Sequence, residues 1–264
     1  FAAILDARPD IEVVNLGAPA MDSFELVRLA AQLSPVPHDL LVVYTGHNDY
    51  GNTWFQGRFG DIGAGITARL DAALSRTQLY SRLRAMLRPP TGSPVPLGPG
   101  DRRALDPRQR QATTDNLARN LRRIAWISQR RGVPVVLVTP ASNLFVRPQG
   151  RDHGGADSAV AHWKAGMQAS DPAVATMELR AARDLDPIPL RAPGEAAEAV
   201  RSVARETGAL LVDAERHLPR DPRADAPAAT LFVDLVHFSA EGHEAMARLL
   251  EPVVVATLTG TEAP

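Results

Sequence analysis

Four short apolar runs constrain this chain more than any other feature: "IEVVNLG" (residues 11–17), "LLVVYTG" (40–46), "VPVVLVTP" (133–140) and "ALLVDA" (209–214). They are rich in β-branched residues and do not alternate with polar ones, as a strand with one wet face would. Continuous runs of this length suit strands of a parallel sheet covered on both faces. Helical patterns lie between them. "SFELVRLAAQL" places Phe24, Val27, Leu29 and Ala30 near one face, with Asp22 or Ser23 as N-cap. "RQATTDNLARNLRRIAWISQRRG" repeats Leu117, Leu121, Ile124 and Ile127 at helical spacing, and Gly132 can close it. "SAEGHEAMARLLEPVVVATL" sets Met246, Leu249, Leu250 and Val253 on one stripe behind a capping Ser239. Strand alternating with helix predicts an α/β domain with right-handed crossovers.

Two segments interrupt the alternation. Residues 88–107 are too rich in Pro and Gly for regular structure and read as a surface loop. Residues 157–189 read as two helices joined near Ser170-Asp171-Pro172, an insertion over the carboxyl edge of the sheet. There it either walls a substrate cleft or simply decorates the fold. The whole chain, residues 1–264, is expected to be one α/β domain. Its net charge of -1 argues against a nucleic-acid partner. The chain has no run of about 18 apolar residues, so no membrane span is expected within it. It has no cysteine, which excludes disulfides, thiolate metal sites and cysteine nucleophiles. "GDIGAG" (residues 60–65) lacks the lysine and the preceding strand of a phosphate loop.

Three polar spots fall at strand ends or just before the last helix, where open α/β sheets place ligands. They are Asn15-Leu16-Gly17, Gly46-His47-Asn48-Asp49, and Asp234 with His237 in "FVDLVHFSAEGH". A general base needs an imidazole held in one tautomer by a carboxylate, and Asp-x-x-His on a tight turn supplies both groups. Asp-x-x-His alone also fits a capping aspartate beside a surface histidine. Asn48 can donate a side-chain N–H to a developing oxyanion, and Gly17 can offer a backbone N–H. Ordinary turn chemistry accounts for each of them as well. His237 and His243 find no third residue at metal-ligand spacing, so no metal is expected. His243 falls on the apolar side of the last helix and reads as packed, and His162 reads as solvent-facing. Asn143 and Arg191 flank the insertion at the expected cleft rim and are candidates for substrate contact.

Taken in order, these blocks resemble the SGNH (GDSL-type) hydrolases, a flavodoxin-like α/β/α family of esterases and related acyl-transfer enzymes. The matching stretches are "VVNLGAPAMDS", "YTGHND" and "FVDLVHFSAEGHEAMA", with "VPVVLVTPASNL" as the strand before the late insertion. The likeness is greatest to bacterial members with a "TGHN" block and a helical insert. It implies His237 as base, Asp234 as its orienting carboxylate, and Gly17 and Asn48 as oxyanion-hole donors. It implies no cofactor, and a small-molecule or glycan acyl ester as substrate.

The family's nucleophilic serine lies upstream of the glycine block, but the 16 residues before Gly17 contain no serine. Ser23 and Ser239 read as helix caps, and Ser142 belongs to the turn after a strand. The sequence as given is therefore expected to begin after the first strand and its nucleophile. Loss of a triad serine costs on the order of 10⁶ in turnover, so measurable ester hydrolysis is not expected from these residues alone. Residues 11–17 and 40–46 would then lack their shared neighbour strand. Two other functions stay open: a non-catalytic ligand-binding module, and an O-acyltransferase that passes the acyl group to a carbohydrate.

Overall fold

The computed structural model describes residues 11–56, 104–105, 107–150, 154–218 and 231–261. Three of the four apolar runs pair as expected. β1 (Leu41–Tyr44), β2 (Val135–Val138) and β3 (Leu210–Val212) form a parallel sheet in the order β1-β2-β3, with Val43 opposite Leu137 and Leu137 opposite Leu211. β2 is central, and all four of its residues are buried. Its side chains alternate between two cores, since successive Cβ atoms point to opposite faces. Val135 and Leu137 pack with α1 (Ser23–Leu33), α3 (Pro107–Gln129) and α6 (Gly194–Thr207). Val136 and Val138 pack with Met246, Leu250 and Val254 of α8 (Ala240–Thr259). Helices thus cover both faces, which is why these strands carry no polar alternation.

Residues 11–17 depart from expectation. They form no strand, and Val13, Val14 and Leu16 are 38%, 67% and 41% exposed. Apolar composition states a demand for burial, but an extended segment becomes a strand only when a neighbour takes its backbone groups. Among the described residues none does. α1 differs in detail: Leu26, Val27 and Ala30 face the core, while Phe24 is exposed. Residues 60–65 and nearly all of 88–107 lie outside the described residues.

α2 (His47–Gln56) starts directly from the turn after β1. Gly46 makes that turn at φ +131, where a Cβ would also meet Pro140 at 3.0 Å. Residues 157–189 contain an antiparallel pair, α4 (Ala159–Gln168) and α5 (Pro172–Asp184). Ser158 caps α4, Asp171 caps α5, and Pro172 occupies the first turn, where its missing N–H costs nothing. His162 is not a free surface group, because its Nδ1 lies 2.6 Å from Glu178 and ties the two helices together.

A buried ionic network fastens α5 and α6 to the sheet. Arg183 donates to Glu215 at 2.8 Å, and Arg201 donates to Glu215 at 2.7 Å and to Asp213 through two bonds. Glu215 belongs to the short helix α7 (Ala214–His217) that follows β3. Thr139, just past β2, donates to Asp213 and accepts the Glu215 N–H. Although burial works to raise both carboxyls, these arginine contacts hold Glu215 and Asp213 below the ordinary carboxylate range.

α8 begins against the turn that carries Asp234 and His237. A Cβ on Gly242 would lie 1.9 Å from the Leu231 carbonyl oxygen and 2.9 Å from its carbon. Alanine is the better helix former by up to about 1 kcal/mol, yet here overpacking decides. Gly242→Ala is expected to destabilise the protein by about 1–3 kcal/mol, read as a lower urea midpoint; a raised midpoint would show that Leu231 moves freely.

Candidate active site

The site is assembled where the chain leaves the sheet. β2 is buried on both faces, so the residues that follow it, Thr139 to Asn143, are buried too. Their backbone groups need partners from the protein, and the surrounding elements supply them.

The Asp-x-x-His turn has the geometry expected of it. His237 Nδ1 donates to Asp234 Oδ2 at 2.7 Å, and the N–H groups of Val236 and His237 donate to Asp234 Oδ1 at 2.9 and 2.8 Å. With the Nδ1 hydrogen committed, Nε2 is left as the acceptor, the tautomer a base requires. Partial burial would raise the Asp234 carboxyl, but the His237 and Val236 N–H groups and the imidazole together hold it below its ordinary range. The pair lies open to solvent, with side chains 75% and 50% exposed for His237 and Asp234. An antiparallel bridge between Phe232 and Phe238 closes the turn, and Ser239 caps α8 from its end.

Within the Gly-His-Asn-Asp block, Gly46 makes the turn and His47, Asn48 and Asp49 begin α2. Its side chains clamp the segment after Gly17. Asn48 Nδ2 donates to the Met21 carbonyl at 2.9 Å, and Asn52 Nδ2 donates to the Ala20 carbonyl at 2.9 Å and to Asp22 at 3.0 Å. Asp49 accepts the Ser23 N–H, the Ser23 hydroxyl and, at 3.4 Å, the Thr45 hydroxyl. Ala20 sits at φ +61, an uncommon conformation for a non-glycine residue. The two asparagine amides hold the carbonyl of this residue and that of the residue after it.

Asn48 therefore spends one side-chain N–H on Met21 and keeps a second for another acceptor. Gly17 is a clearer departure. Its N–H donates to Asn15 Oδ1 at 2.9 Å in an exposed turn, so it is not presented as an anion donor. The cause is local, because a short amide side chain two residues back captures the backbone more readily than a distant ligand can.

Asn143 and Arg191 are not on a rim. Arg191 is 2% exposed, and its Nη1 donates to the carbonyls of Asn143 at 2.8 Å and Val146 at 3.0 Å. Burial lowers its pKa to about 10, so it remains a cation at neutral pH. Asn143, also buried, gives its N–H to the Leu235 carbonyl and its side-chain N–H to the Asp234 carbonyl. Both belong to the scaffold beneath the Asp-His turn. Ser23 is fully buried on Asp49 and Asn120, while Ser142 is buried at 1% exposure. His243 is exposed, with its ring edge-on to Phe238.

Sequence reasoning missed His47. Its Nδ1 accepts the Ala192 N–H at 3.0 Å, and its Nε2 donates to the Ala141 carbonyl at 2.9 Å. Tyr44 also donates to Ala141, and its ring packs on Phe238, the neighbour of His237. Burial lowers His47 to about 4, and the charges of Arg183, His237 and Arg191 act in the same direction. Those contacts bring the Gly-His-Asn-Asp block and the Asp-His turn to one end of the sheet. Asn48, Asp49 and Asn52 at i, i+1 and i+4 were the available signal for a polar helix face.

No protein-family model, curated protein or solved structure matches the chain. Among the described residues, no group of three or more His, Cys, Asp or Glu could hold a metal, and no helix is long and apolar enough to cross a membrane.

Burial, and then the neighbouring Asp22 charge, raise Asp49 to about 7, against the pull of its hydroxyl and N–H donors. The native state then holds a proton that the unfolded chain releases near pH 4. This contribution to stability is complete below about pH 4 and is lost as the pH rises to about 7. His47 has the opposite sign: its contribution is present above its unfolded value of about 6.5 and lost as the pH falls to about 4. Urea titrations from pH 4 to 8 should show stability gaining a more positive slope with pH in Asp49→Asn. An unchanged slope would mean that Asp49 is ionised throughout.

Proposed function

We propose that this chain belongs to an acyl-ester hydrolase of the SGNH type, on a flavodoxin-like three-layer α/β/α fold. In this reading His237 is the general base and Asp234 its orienting carboxylate. The observation that carries it is the Asp234–His237 pair, with one carboxylate oxygen on the imidazole and the other on two backbone N–H groups. That arrangement fixes the ring and leaves Nε2 to take a proton from a serine hydroxyl as it attacks the acyl carbon. The second N–H of Asn48 is the candidate donor to the tetrahedral oxyanion, a contact worth about 3–4 kcal/mol in comparable sites. Gly17 joins it only if Asn15 releases its N–H. A small-molecule or glycan acyl ester is the substrate class, and the reaction needs no cofactor.

The described residues supply a base, a carboxylate and a donor, but Ser23 and Ser142 are buried and Ser239 caps a helix. That observation favours a second reading, a binding module that uses the same surface without turnover. Aryl acetates and acetylated glycans offered to the full-length gene product separate the two. Hydrolysis that falls about 10⁴-fold in Asp234→Asn, and at least as far in His237→Ala, supports the enzyme. Binding of acetylated glycan without turnover, equal in both variants, supports the module.

A further inference from the structure

We infer that Asn143 and Arg191 are positioning residues that fix the turn bearing Asp234 and His237, acting on the imidazole through hydrogen bonds without touching substrate. The inference deepens the reading of His237 as the base and rests on it. The turn needs outside support. Val233 is 70% exposed, and the bonds within the turn, Val233 N–H to the His237 carbonyl and the Asp234 cap, join it only to itself. Among the described residues, Phe232 and Phe238, which pack into the core, and Asn143 tie it to the body of the protein. Asn143 holds two consecutive carbonyls, Leu235 through its N–H at 3.0 Å and Asp234 through its side chain at 3.3 Å.

Asn143 is itself held from behind. Its Oδ1 accepts the Phe145 N–H at 3.1 Å, which orients the amide so that its N–H side faces Asp234. Its carbonyl accepts from Arg191, which also binds Val146 and so closes the 143–146 turn around one guanidinium. Among the described residues Arg191 Nη2 has no hydrogen-bond partner, and the Asp186 carboxylate stands 3.8 Å away. A buried cation with incomplete pairing costs stability. What it holds in return is the backbone under the Asp-His turn. The next residue, Ala192, gives its N–H to His47. A continuous bonded path therefore runs from the neighbour of Asn48 through residues 191–192 and Asn143 to Asp234, and it sets how far the amide donor stands from the base.

Loosening that path should weaken the contact between Asp234 and His237, which holds the ring hydrogen on Nδ1. The test reads the His237 ring-nitrogen shifts by NMR at about pH 9, where imidazoles are neutral, and it is readable whether or not the protein hydrolyses esters. In Asn143→Ala and Arg191→Met the share of rings with the hydrogen on Nε2 is expected to rise about twofold or more, with Arg191→Lys recovering part of the change. A role confined to stability would lower the melting temperature and leave the tautomer in place; an unchanged tautomer share in either folded variant overturns the inference. Hydrogen exchange on the unaltered protein covers the case in which both variants unfold. The Asn143 amide should be protected at least a hundredfold over an exposed amide, and exchange at the exposed rate overturns the inference. Failure of the hydrolysis assay alone counts against the enzyme reading and leaves this result standing.

Discussion

The burial of β2 on both faces governs the rest of the structure. Val135 to Val138 are at most 1% exposed, and the chain stays buried from Thr139 through Leu144 after them. Every backbone group of that exit must be satisfied by protein. Thr139 bonds Val212 and the Glu215 backbone, the Ala141 carbonyl takes His47 and Tyr44, and Asn143 engages the Asp234 turn and Arg191. The polar machinery at this end of the sheet is thus a consequence of apolar packing one layer below. A strand with one wet face would have let water do the same work, and the side chains would not converge.

The same logic explains why so much charge is buried here. Arg183, Arg191, Arg201, Asp186 and Glu215 are all buried, though isolated ions are costly in such surroundings. The network closes because each carboxylate meets more than one donor. Asp186 accepts three backbone N–H groups, from Gln149, Gly150 and Ile188, and Glu215 meets Arg183 and Arg201. Removing one member would strand the others, whereas an apolar replacement of the whole set need not destabilise. The α4–α5 pair is therefore fastened to the sheet by charges of opposite sign, with little apolar contact to the strands beneath.

The sequence announced what was local and hid what was not. β1, β2 and β3 fall within the expected runs because burial on two faces leaves an unbroken apolar signature. The Asp234–His237 bond was legible because both partners lie on one turn, three residues apart. Asn143 and Arg191 were visible as polar residues beside an insertion, but their partners lie 91 and 48 residues away, and spacing alone cannot distinguish a rim contact from a scaffold bond. Residues 11–17 carry the same apolar signature as the strands and yet stay exposed. Hydrophobicity reports how much a segment needs cover, not whether cover exists.

The exposure of the Asp234–His237 pair then has a definite meaning. A hydrogen-bonded pair this open contributes little to stability, since water competes for both partners. Its value lies in orientation: two backbone donors fix one carboxylate oxygen, the imidazole takes the other, and the ring keeps one tautomer. Orientation survives in water only if the turn itself does not drift. That requirement passes from the exposed pair to the buried residues beneath it, and through them to the exit of β2. The geometry of the pair is thus held by the buried exit of β2, while the imidazole itself stays open to solvent.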